Sequence, residues 1–274
     1  MKKALVTGAG GGLGQRVVAK LSGQGWHVFA VDVNNDGLAA LKSYENVKVF
    51  QADITDMSEL KSLSRDLHQR FGGLDLLVCL AGIYDTFPVT AFASEVFNRM
   101  MSVNFLSTAN VVQCFHEALI RSQGKVIIVS SESYKIQALF QPYMISKAAL
   151  EAYCRVAWQE LSMKGVRLSV IRPGAIDTPL LKWMKKESIG QDPLFQKEFE
   201  AALHDSKRFV GKISDPERVA ALILKIALAR KPRRFYRINN NPLLSIIGFF
   251  PTALIDFLIV KKIKARVRQK NIDK

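Results

Sequence analysis

The chain has 274 residues, 49% of them hydrophobic, and a formal net charge of +15. This length and apolar content predict a large domain with a well-covered core, and no Pro/Gly/Ser-rich linker, internal repeat or low-complexity tract divides the sequence. The three cysteines and four histidines are widely separated and lack ligand spacing. We therefore expect reduced cysteines, no metal site and a cytoplasmic protein without a signal peptide.

Most of the positive charge lies in the last quarter of the chain. Residues 1–203 contain 22 Lys and Arg against 19 Asp and Glu, whereas residues 204–274 contain 17 against 5. The basic residues of this tail flank an apolar stretch instead of alternating with aromatic side chains, as they would in a nucleic-acid-binding surface. We therefore expect no nucleic-acid partner.

The first predicted strand leads into a glycine-rich turn. Lys3–Thr7 is a short apolar run, and T-G-A-G-G-G-L-G extends from its last residue into an amphipathic helix. Glycines at a strand-to-helix turn let the backbone approach a pyrophosphate at the positive end of the helix. Leu13 stands where G-x-G-x-x-G needs its third glycine, but T-G-x-x-x-G-x-G is matched through Gly8, Gly12 and Gly14. These glycines and Leu13 are predicted to contact a dinucleotide.

The next three strands end in residues that complete a nucleotide site. Asp32 ends the second strand about 20 residues past the glycines, where a carboxylate accepts hydrogen bonds from ribose hydroxyls and repels a 2′-phosphate. No Arg or Lys occurs in the four residues that follow it, so NAD is favoured over NADP. Asp53 and Ile54 follow the third strand and suit the adenine edge, and Ala81 and Gly82 follow the fourth.

A candidate catalytic site begins after the fifth strand, Lys125–Val129. Tyr143 and Lys147 are four residues apart, so on a helix they lie one turn from each other on the same face. A fixed ammonium near a phenol lowers the phenol pKa from about 10, so the pair is suited to proton exchange with a substrate hydroxyl. Ser131 follows the strand at the edge where open α/β sheets bind ligands. Asn104 is in a long helix predicted over residues 94–121, where it is either a core residue with satisfied hydrogen bonds, the usual case, or the holder of a water in a proton relay.

A sixth strand leads into a turn that contains proline and glycine. Residues 172–179 read R-P-G-A-I-D-T-P, which predicts a rigid turn that brings a hydroxyl to a nicotinamide carboxamide. Its candidate cofactor contacts are Pro173, Gly174, Ile176 and Thr178. Strands that alternate with helices at this regularity predict an α/β fold of the Rossmann type, a doubly wound parallel sheet with helices on both faces.

These motifs resemble the short-chain dehydrogenase/reductase family in its compact, single-domain form, over about residues 3–240. The resemblance is carried, in the family's order, by T-G-x-x-x-G-x-G, Asp32, Asp53, Asn104, Ser131, Tyr143-x-x-x-Lys147 and Pro173-Gly174. It implies that Tyr143 is the general acid/base and that Lys147 holds the nicotinamide ribose and lowers the Tyr143 pKa. It also implies that Ser131 orients the reacting oxygen and that Asn104 carries the water of a proton relay.

Two features depart from the family pattern. Leu80 stands where the family has the asparagine of N-A-G, so a side chain that usually ties down the centre of the sheet is missing. Ser131 lies 12 residues before Tyr143, where the family more often has 13. Ser130 and Ser133 are therefore alternatives to Ser131.

Residues 178–211 form the most irregular part of the sequence. Their large apolar residues are Leu180, Leu181, Trp183, Met184, Phe195, Phe199 and Phe209. In the resembling family this segment closes over the substrate, so its apolar character favours a lipophilic ligand. Ordinary packing on the core accounts equally well for any one of these side chains.

Residues 1–241 are assigned to one NAD-binding catalytic domain, and residues 242–274 to an apolar and then basic extension. As one helix, residues 243–260 would barely span a bilayer, and glycine, proline and aspartate interrupt them. An apolar segment with cationic flanks suits an anionic membrane surface, so residues 243–270 are predicted to contact a membrane peripherally. A tail folded over the substrate mouth and a subunit contact are the alternatives.

Tails of this kind are similar to those of the hydroxysteroid and retinol dehydrogenase branch, which implies a steroid, retinoid or other lipid alcohol as substrate. The leading hypothesis is an NAD-dependent oxidoreductase that interconverts a secondary alcohol and a ketone, as a homodimer or homotetramer. The alternative is a catalytically idle NAD-binding module held on a membrane or another partner by its basic tail. The Tyr143 and Lys147 pair argues against that alternative.

Overall fold

The protein is built on a sheet whose strands are all parallel. The computed structural model describes residues 1–92, 94–135, 138–183, 192–209, 213–241, 246–247 and 250–272. The strands are β1 (Lys3–Thr7), β2 (His27–Asp32), β3 (Val47–Gln51), β4 (Leu76–Cys79), β5 (Lys125–Val129), β6 (Arg167–Pro173) and β7 (Phe235–Ile238). Their order across the sheet is β3-β2-β1-β4-β5-β6-β7. The carboxyl ends of the strands therefore share one edge.

Helices connect the strands and extend the chain past the sheet. They are α1 (Gly12–Gly23), α2 (Asn35–Ala39), α3 (Met57–Phe71), α4 (Ser94–Met101), α5 (Ser107–Ser122), α6 (Pro142–Met163), α7 (Pro179–Trp183), α8 (Gln196–Phe209), α9 (Pro216–Leu228) and α10 (Thr252–Ile272). Short 3₁₀ turns lie at Ala40–Ser43, Glu132–Lys135 and Pro193–Phe195.

Both faces of the sheet are buried. Successive residues of a strand point to opposite faces, so Leu5 of β1 packs with α3, α5 and α6, whereas Ala4 and Val6 pack with α1, α2 and α9. Strands covered on both faces can be apolar along their whole length, as β4 is here, and β1 is apolar over its three central residues. The doubly wound sheet with helices on both faces that the sequence predicted is confirmed.

The helix predicted over residues 94–121 is continuous but not uniform. A π-helical segment, Ser102–Leu106, lies between α4 and α5. Asn104 is in this segment and is fully buried. Short π-helical insertions in α-helices occur frequently at functional sites. The sequence therefore located the helix but gave no sign of the change in helical geometry around Asn104.

The last strand of the sheet was not anticipated from the sequence. β7 pairs in parallel with β6, with Ile171 opposite Tyr236. Beyond this pairing, the Gly174 amide donates to the Ile238 carbonyl at 3.0 Å. The chain that follows α9 therefore adds an outer strand to the sheet, and the carboxyl end of this strand lies on the side of the sheet where the predicted site residues lie.

The C-terminal extension contains one long described helix. α10 begins after Pro251 and carries both apolar and basic residues, so it contains only the second part of the apolar stretch predicted over residues 243–260. Residues 243–245 and 248–249 of the predicted membrane segment lie outside the described residues, as do 184–191, with Met184, and 210–211 of the predicted cover. Ile263 is buried, and α10 packs on α8. No helix in the described residues is long and apolar enough to cross a membrane.

Candidate active site

The glycine turn between β1 and α1 is shaped by close backbone approaches. Gly8 has a φ of +72°, and a Cβ there would lie 2.7 Å from the Ala81 amide nitrogen. A Cβ on Gly14 would overlap the Gly8 carbonyl oxygen. A Cβ on Gly12 would make an ordinary van der Waals contact with Pro179 at 3.5 Å, and Leu13 packs partly against the core under α1. Only glycine fits at Gly8 and Gly14, and the turn leaves backbone amides near the start of α1, where a phosphate binds.

Asp32 holds the glycine turn in place. Its carboxylate accepts a hydrogen bond from the Gly10 amide at 2.9 Å and a second from the Asn34 amide at 2.9 Å. The side chain is partly buried at the end of β2. It therefore lies beside the turn, as predicted, but both oxygens already have backbone donors, so it orients the turn as well as offering acceptors to a ribose.

The two residues predicted for the adenine edge lie just after β3. Ile54 is buried, whereas Asp53 is exposed. The Asp53 carboxylate accepts hydrogen bonds from the amide and the hydroxyl of Thr55, at 2.8 and 2.7 Å. This interaction fixes the loop, and Ile54 supplies an apolar contact next to it.

Leu80, the departure from the family pattern, is accommodated by packing. Its amide donates to the Thr7 carbonyl at 3.1 Å, and its side chain packs against the core on the α1 and α9 face. An apolar contact thus fills the position of the expected asparagine. Two residues on, a Cβ on Gly82 would lie 3.3 Å from the Asn104 Oδ1 atom and 3.8 Å from the Lys147 Nζ atom. Gly82 therefore leaves room for these two side chains next to each other.

Asn104 is held by three hydrogen bonds. Its Oδ1 atom accepts from the Ile83 amide at 2.7 Å, and its Nδ2 atom donates to the Ile83 carbonyl at 2.9 Å and to the Ser146 hydroxyl at 3.0 Å. The Ser146 hydroxyl in turn donates to the Tyr143 carbonyl at 2.7 Å. Asn104 thus joins the loop after β4 to the first turn of α6, which carries Tyr143.

The structure distinguishes among the three candidate serines. The Ser131 side chain hydrogen-bonds the Tyr143 phenol, and its hydroxyl lies 2.7 Å from that of Ser133. Ser130 is buried, and its hydroxyl has no hydrogen-bond partner among the described residues. The geometry therefore places Ser131 next to Tyr143, with Ser133 behind it and Ser130 turned into the protein.

Lys147 lies beneath Tyr143, one helical turn along α6. Its Nζ atom donates to the Val129 carbonyl at 3.3 Å and lies 5.6 Å from the centroid of the Tyr143 ring. Burial lowers the pKa of Lys147 to about 8. Burial likewise raises the pKa of Tyr143 above its usual value, against the opposing effect of its hydrogen bond with Ser131. The lowered Tyr143 pKa that the i, i+4 spacing predicts is therefore not found, because desolvation outweighs the stabilisation of the phenolate in this geometry.

The turn after β6 lies at the same carboxyl edge of the sheet, next to the end of β5. A Cβ on Gly174 would overlap the Asn239 carbonyl oxygen, so glycine is needed where Pro173 leaves the sheet. Ile176 pairs with Ser214 through a short parallel bridge. The Thr178 hydroxyl lies 3.5 Å from the Ile176 carbonyl, immediately before α7. The sheet thus brings the four predicted residues of this turn to the edge that also carries Ser131.

Sequence reasoning missed an aromatic and amide cluster around Tyr143. The Tyr84 ring lies 5.1 Å from the Tyr143 ring, centroid to centroid, and the Tyr84 hydroxyl donates to the Gln141 Oε1 atom at 2.8 Å. Burial raises the pKa of Tyr84 to about 12. Phe140 has a φ of +62°, and its buried ring packs against Phe199. A large side chain in this backbone region is uncommon and occurs where surrounding contacts over-determine it.

A buried carboxylate and a half-buried one were also missed. Glu151, one turn past Lys147 on α6, makes a bidentate ion pair with Arg172 of β6, at 2.9 and 2.7 Å. The Arg172 guanidinium also lies 4.0 Å from the Phe235 ring centroid. Glu132 accepts a hydrogen bond from the Asn241 amide at 2.7 Å, and burial raises its pKa. These contacts join residues far apart in the chain, and no local motif signals them.

The predicted site residues therefore meet along one edge of the sheet. The glycine turn and Asp32 lie at one end, and Ser131, Tyr143 and Lys147 at the other. A narrow backbone cradle, a carboxylate and a buried lysine next to a phenol fit a nicotinamide dinucleotide. No group of three or more metal-binding side chains occurs within the described ranges. The arrangement can bind a dinucleotide and transfer a proton at the Tyr143 oxygen.

The chain is similar in sequence to known oxidoreductases. Residues 2–188 match the family model described as short chain dehydrogenase. An uncharacterised oxidoreductase of Staphylococcus epidermidis is 32% identical over 186 residues, which cover 65% of this chain and 80% of that protein. A diacetyl reductase ((S)-acetoin forming) of the same species is 26% identical over 240 residues, which cover 82% and 91%.

Solved structures share the fold at lower identity. A short-chain dehydrogenase from Streptomyces avermitilis matches with a TM-score of 0.77 at 19% identity, covering 96% of this chain and 97% of that one. A Mycobacterium paratuberculosis short-chain dehydrogenase bound to NAD gives 0.73 at 20%, covering 87% and 96%. A Thermococcus sibiricus alcohol dehydrogenase complexed with 5-hydroxy-NADP gives 0.70 at 23%, covering 87% and 96%. The chain belongs to the short-chain dehydrogenase family of oxidoreductases, which have an NAD(P)-binding Rossmann fold.

Proposed function

We propose that this protein is an NAD-dependent oxidoreductase that interconverts a secondary alcohol and a ketone, with Tyr143 as general acid/base. The observation that carries the proposal is the hydrogen bond between Ser131 and Tyr143, with the buried Lys147 one helical turn away. A phenol in this setting has a hydroxyl partner that can orient a substrate oxygen and a cation that can offset negative charge. A tyrosine that only packs against the sheet needs neither the hydroxyl partner nor the cation.

Each catalytic side chain has a defined task in this proposal. Bound NAD supplies the hydride acceptor. During ketone reduction the Tyr143 phenol gives its proton to the substrate oxygen, and during alcohol oxidation its phenolate form takes the proton of the substrate hydroxyl; Ser131 holds that oxygen by a hydrogen bond. Below about pH 8 Lys147 is a cation, which stabilises the phenolate and donates to ribose hydroxyls. Asn104 fixes the first turn of α6, and a water on its side of the site would pass the proton outward.

The cofactor assignment to NAD depends on Asp32. A 2′-phosphate next to this carboxylate would place like charges together in a partly buried site, which disfavours NADP. The remaining cofactor contacts are proposed to be Gly8, Gly12, Leu13, Gly14, Asp53, Ile54, Ala81, Gly82, Tyr143, Lys147, Pro173, Gly174, Ile176 and Thr178. Since one structural neighbour is bound to NAD and another to an NADP derivative, the family alone leaves the choice open.

A lipophilic substrate is supported by the aromatic side chains near Tyr143. Phe195 and Phe199 pack on Phe140, with ring centroids 5.9 and 5.4 Å from its own. Phe140 is three residues before Tyr143, so this apolar cluster packs next to the segment that carries Tyr143. We assign the protein to the hydroxysteroid and retinol dehydrogenase-like branch on this basis. A small polar diketone is the competing substrate, because a relative is named diacetyl reductase.

The protein is also proposed to be cytoplasmic, to form a homodimer or homotetramer and to make peripheral contact with membranes. The alternative, an idle NAD-binding module, keeps the nucleotide site and has no use for the Ser131 to Tyr143 contact.

A substrate screen tests the proposal. Purified protein with NAD is offered steroid, retinoid and long-chain secondary alcohols, with acetoin as the small polar comparison, while NADH absorbance is followed. Turnover of a lipophilic alcohol with a higher kcat/KM than acetoin is expected. Faster turnover of acetoin would overturn the substrate class alone. Tight NAD binding without turnover of any alcohol or ketone would favour the idle module.

A further inference from the structure

The apolar and basic residues of α10 are separated along the helix axis. Residues 252–260 read T-A-L-I-D-F-L-I-V, with Asp256 as the single charge, whereas residues 261–270 contain six Lys and Arg and no acid. A helix that lies flat on a membrane usually separates these residue types around its circumference. In α10 the two types occupy successive halves, which we call the apolar half (252–260) and the basic half (261–270).

The apolar half is exposed. Its large side chains are exposed by 43% at Leu254, 61% at Phe257, 52% at Leu258 and 40% at Val260. Phe250, just before the helix, is 52% exposed. Large exposed apolar patches mark sites that another molecule or a membrane covers. Ile255 and Ile259 are partly buried, so the exposed apolar surface is one face of this half of α10.

The charges of the basic half indicate what covers the apolar half. Lys261 and Lys264 are exposed, and the Lys261 Nζ atom lies 5.9 Å from the centroid of the Phe257 ring, where the two halves meet. In a parallel contact between two copies of α10, the two basic halves would face and repel each other, and charged residues are depleted from interface cores. An anionic lipid surface satisfies both halves, because phosphates attract the cations and the acyl boundary accepts the apolar side chains.

The position of α10 connects this surface to the site. Ile263 in the basic half is buried, and α10 packs on α8. α8 carries Phe199, which packs on Phe140, three residues before Tyr143. A lipid surface that contacts α10 therefore lies against the helix that packs on the segment just before Tyr143.

We propose that α10 docks the protein on anionic lipid surfaces with the apolar half inserted end first and the basic half at the level of the phosphates. Nine residues of helix extend about 13 Å at 1.5 Å per residue, enough to enter the headgroup and acyl boundary and far less than the bilayer core of about 30 Å. A lipophilic substrate would then pass from the lipid to the site beneath α8; this last step rests on the proposed function, whereas docking does not.

Vesicle co-sedimentation tests docking without substrate or cofactor. The full-length protein should sediment with vesicles of phosphatidylcholine and phosphatidylserine and stay in the supernatant with phosphatidylcholine alone. The double substitution Phe257→Ser and Leu258→Ser should abolish sedimentation. The matched control, Val156→Ser with Met163→Ser, changes two exposed apolar residues on α6 and should sediment like the parent. Equal sedimentation of the two double variants would overturn docking through α10.

Charge substitutions test the basic half. Lys261→Gln with Lys264→Gln should weaken binding to anionic vesicles by about tenfold or more at low salt, since each cation near the surface contributes up to about 1 kcal/mol. Binding of the parent should fall as salt rises. Lys42→Gln with Lys164→Gln, two exposed lysines elsewhere, should leave binding unchanged. Binding that is independent of lipid charge would contradict the proposal.

Brominated acyl chains test the orientation. The bromines should quench the tryptophan fluorescence of Phe257→Trp more than that of the parent, whose own tryptophans set the background. Ala265→Trp, at an exposed position in the basic half, should be quenched no more than the parent. Equal quenching at both positions would show that the helix lies flat and overturn end-first insertion.

Size-exclusion chromatography tests a contact between copies as the other occupant of this surface. If the Phe257→Ser and Leu258→Ser variant loses self-association while lipid binding is never seen, the patch is a contact between copies. None of these experiments uses an alcohol substrate, so their outcomes do not depend on the result of the alcohol screen.

Discussion

The region around Tyr143 and helix α10 differ in how far their side chains are buried and paired. Around Tyr143, polar groups are buried and paired: Asn104 makes three hydrogen bonds, and Glu151 makes two with Arg172. On α10, large apolar side chains are exposed and basic residues follow them. The first region is held together by contacts among the described residues, whereas on α10 the described residues leave large apolar side chains exposed. The same type of substitution should therefore change stability or activity near Tyr143 and leave both nearly unchanged on α10.

The ion pair between Glu151 and Arg172 gives the largest expected effect on stability. Glu151→Ala leaves a buried guanidinium unpaired, so the free energy of unfolding should fall by about 3–5 kcal/mol. Glu117→Ala, which breaks the exposed pair with Arg121, should cost at most about 1 kcal/mol. Urea denaturation of both variants measures the difference. Replacing both partners, as Glu151→Leu with Arg172→Met, should restore much of the stability, and failure to do so would place the cost in packing.

The lowered pKa of Lys147 predicts a dependence of stability on pH. In the folded protein it is about 8, against 10.5 for an ordinary lysine. Between these values the unfolded chain binds the additional proton, so the free energy of unfolding should rise with pH from about 8 to 10.5. The rise should total up to about 3 kcal/mol, at about 1.4 kcal/mol per pKa unit. Urea denaturation across this pH range should show the rise in the parent and lose it in Lys147→Met.

Lys261→Met on α10 is the matched control for Lys147→Met. Lys261 is exposed, so its substitution should leave the pH profile of the parent unchanged. A Lys147→Met profile that is identical to the parent profile would contradict a neutralised buried lysine.

The three serines after β5 should separate in activity. Ser131→Ala removes the hydroxyl next to Tyr143, so kcat/KM should fall by about a hundredfold, the usual cost of one hydrogen-bond donor to a reacting oxygen. Ser133→Ala removes a neighbour of Ser131 and should have a smaller effect, and Ser130→Ala the smallest. Steady-state kinetics with the best alcohol from the screen measure the order. Ser130→Ala or Ser133→Ala as the most damaged variant would move the assignment to that residue.

Asp32 should control cofactor choice more weakly. Asp32→Asn removes the charge and keeps an acceptor for the Gly10 amide, so NADP should gain about tenfold over NAD, the effect expected of one charge pair near a protein surface. Fluorescence titration with both cofactors measures the ratio. Asp36→Asn, an exposed neighbour on α2, should leave it unchanged. An unchanged ratio in Asp32→Asn would remove the basis for the NAD assignment.

The sequence predicted what local patterns determine. The glycine turn, Asp32 and the spacing of Tyr143 and Lys147 each lie within one stretch of chain, and strands with both faces buried produce a recognisable apolar run. It could not predict contacts made by distant segments. Glu151 meets Arg172 21 residues away, and Glu132 meets Asn241 109 residues away. The raised Tyr143 pKa was missed for the same reason, because desolvation depends on the whole fold and the i, i+4 spacing shows only the neighbouring charge.

One measurement tests the role of Tyr143 most directly. The variants Tyr143→Phe and Tyr153→Phe each remove one phenol oxygen from α6, and NADH production and NAD affinity are measured for both with the best alcohol. Turnover by Tyr143→Phe should fall by about 10² to 10⁴, the usual range for general acid/base catalysis, with NAD affinity nearly unchanged, while Tyr153→Phe keeps the parent's turnover. Parent-like turnover by Tyr143→Phe would contradict the proposed chemistry.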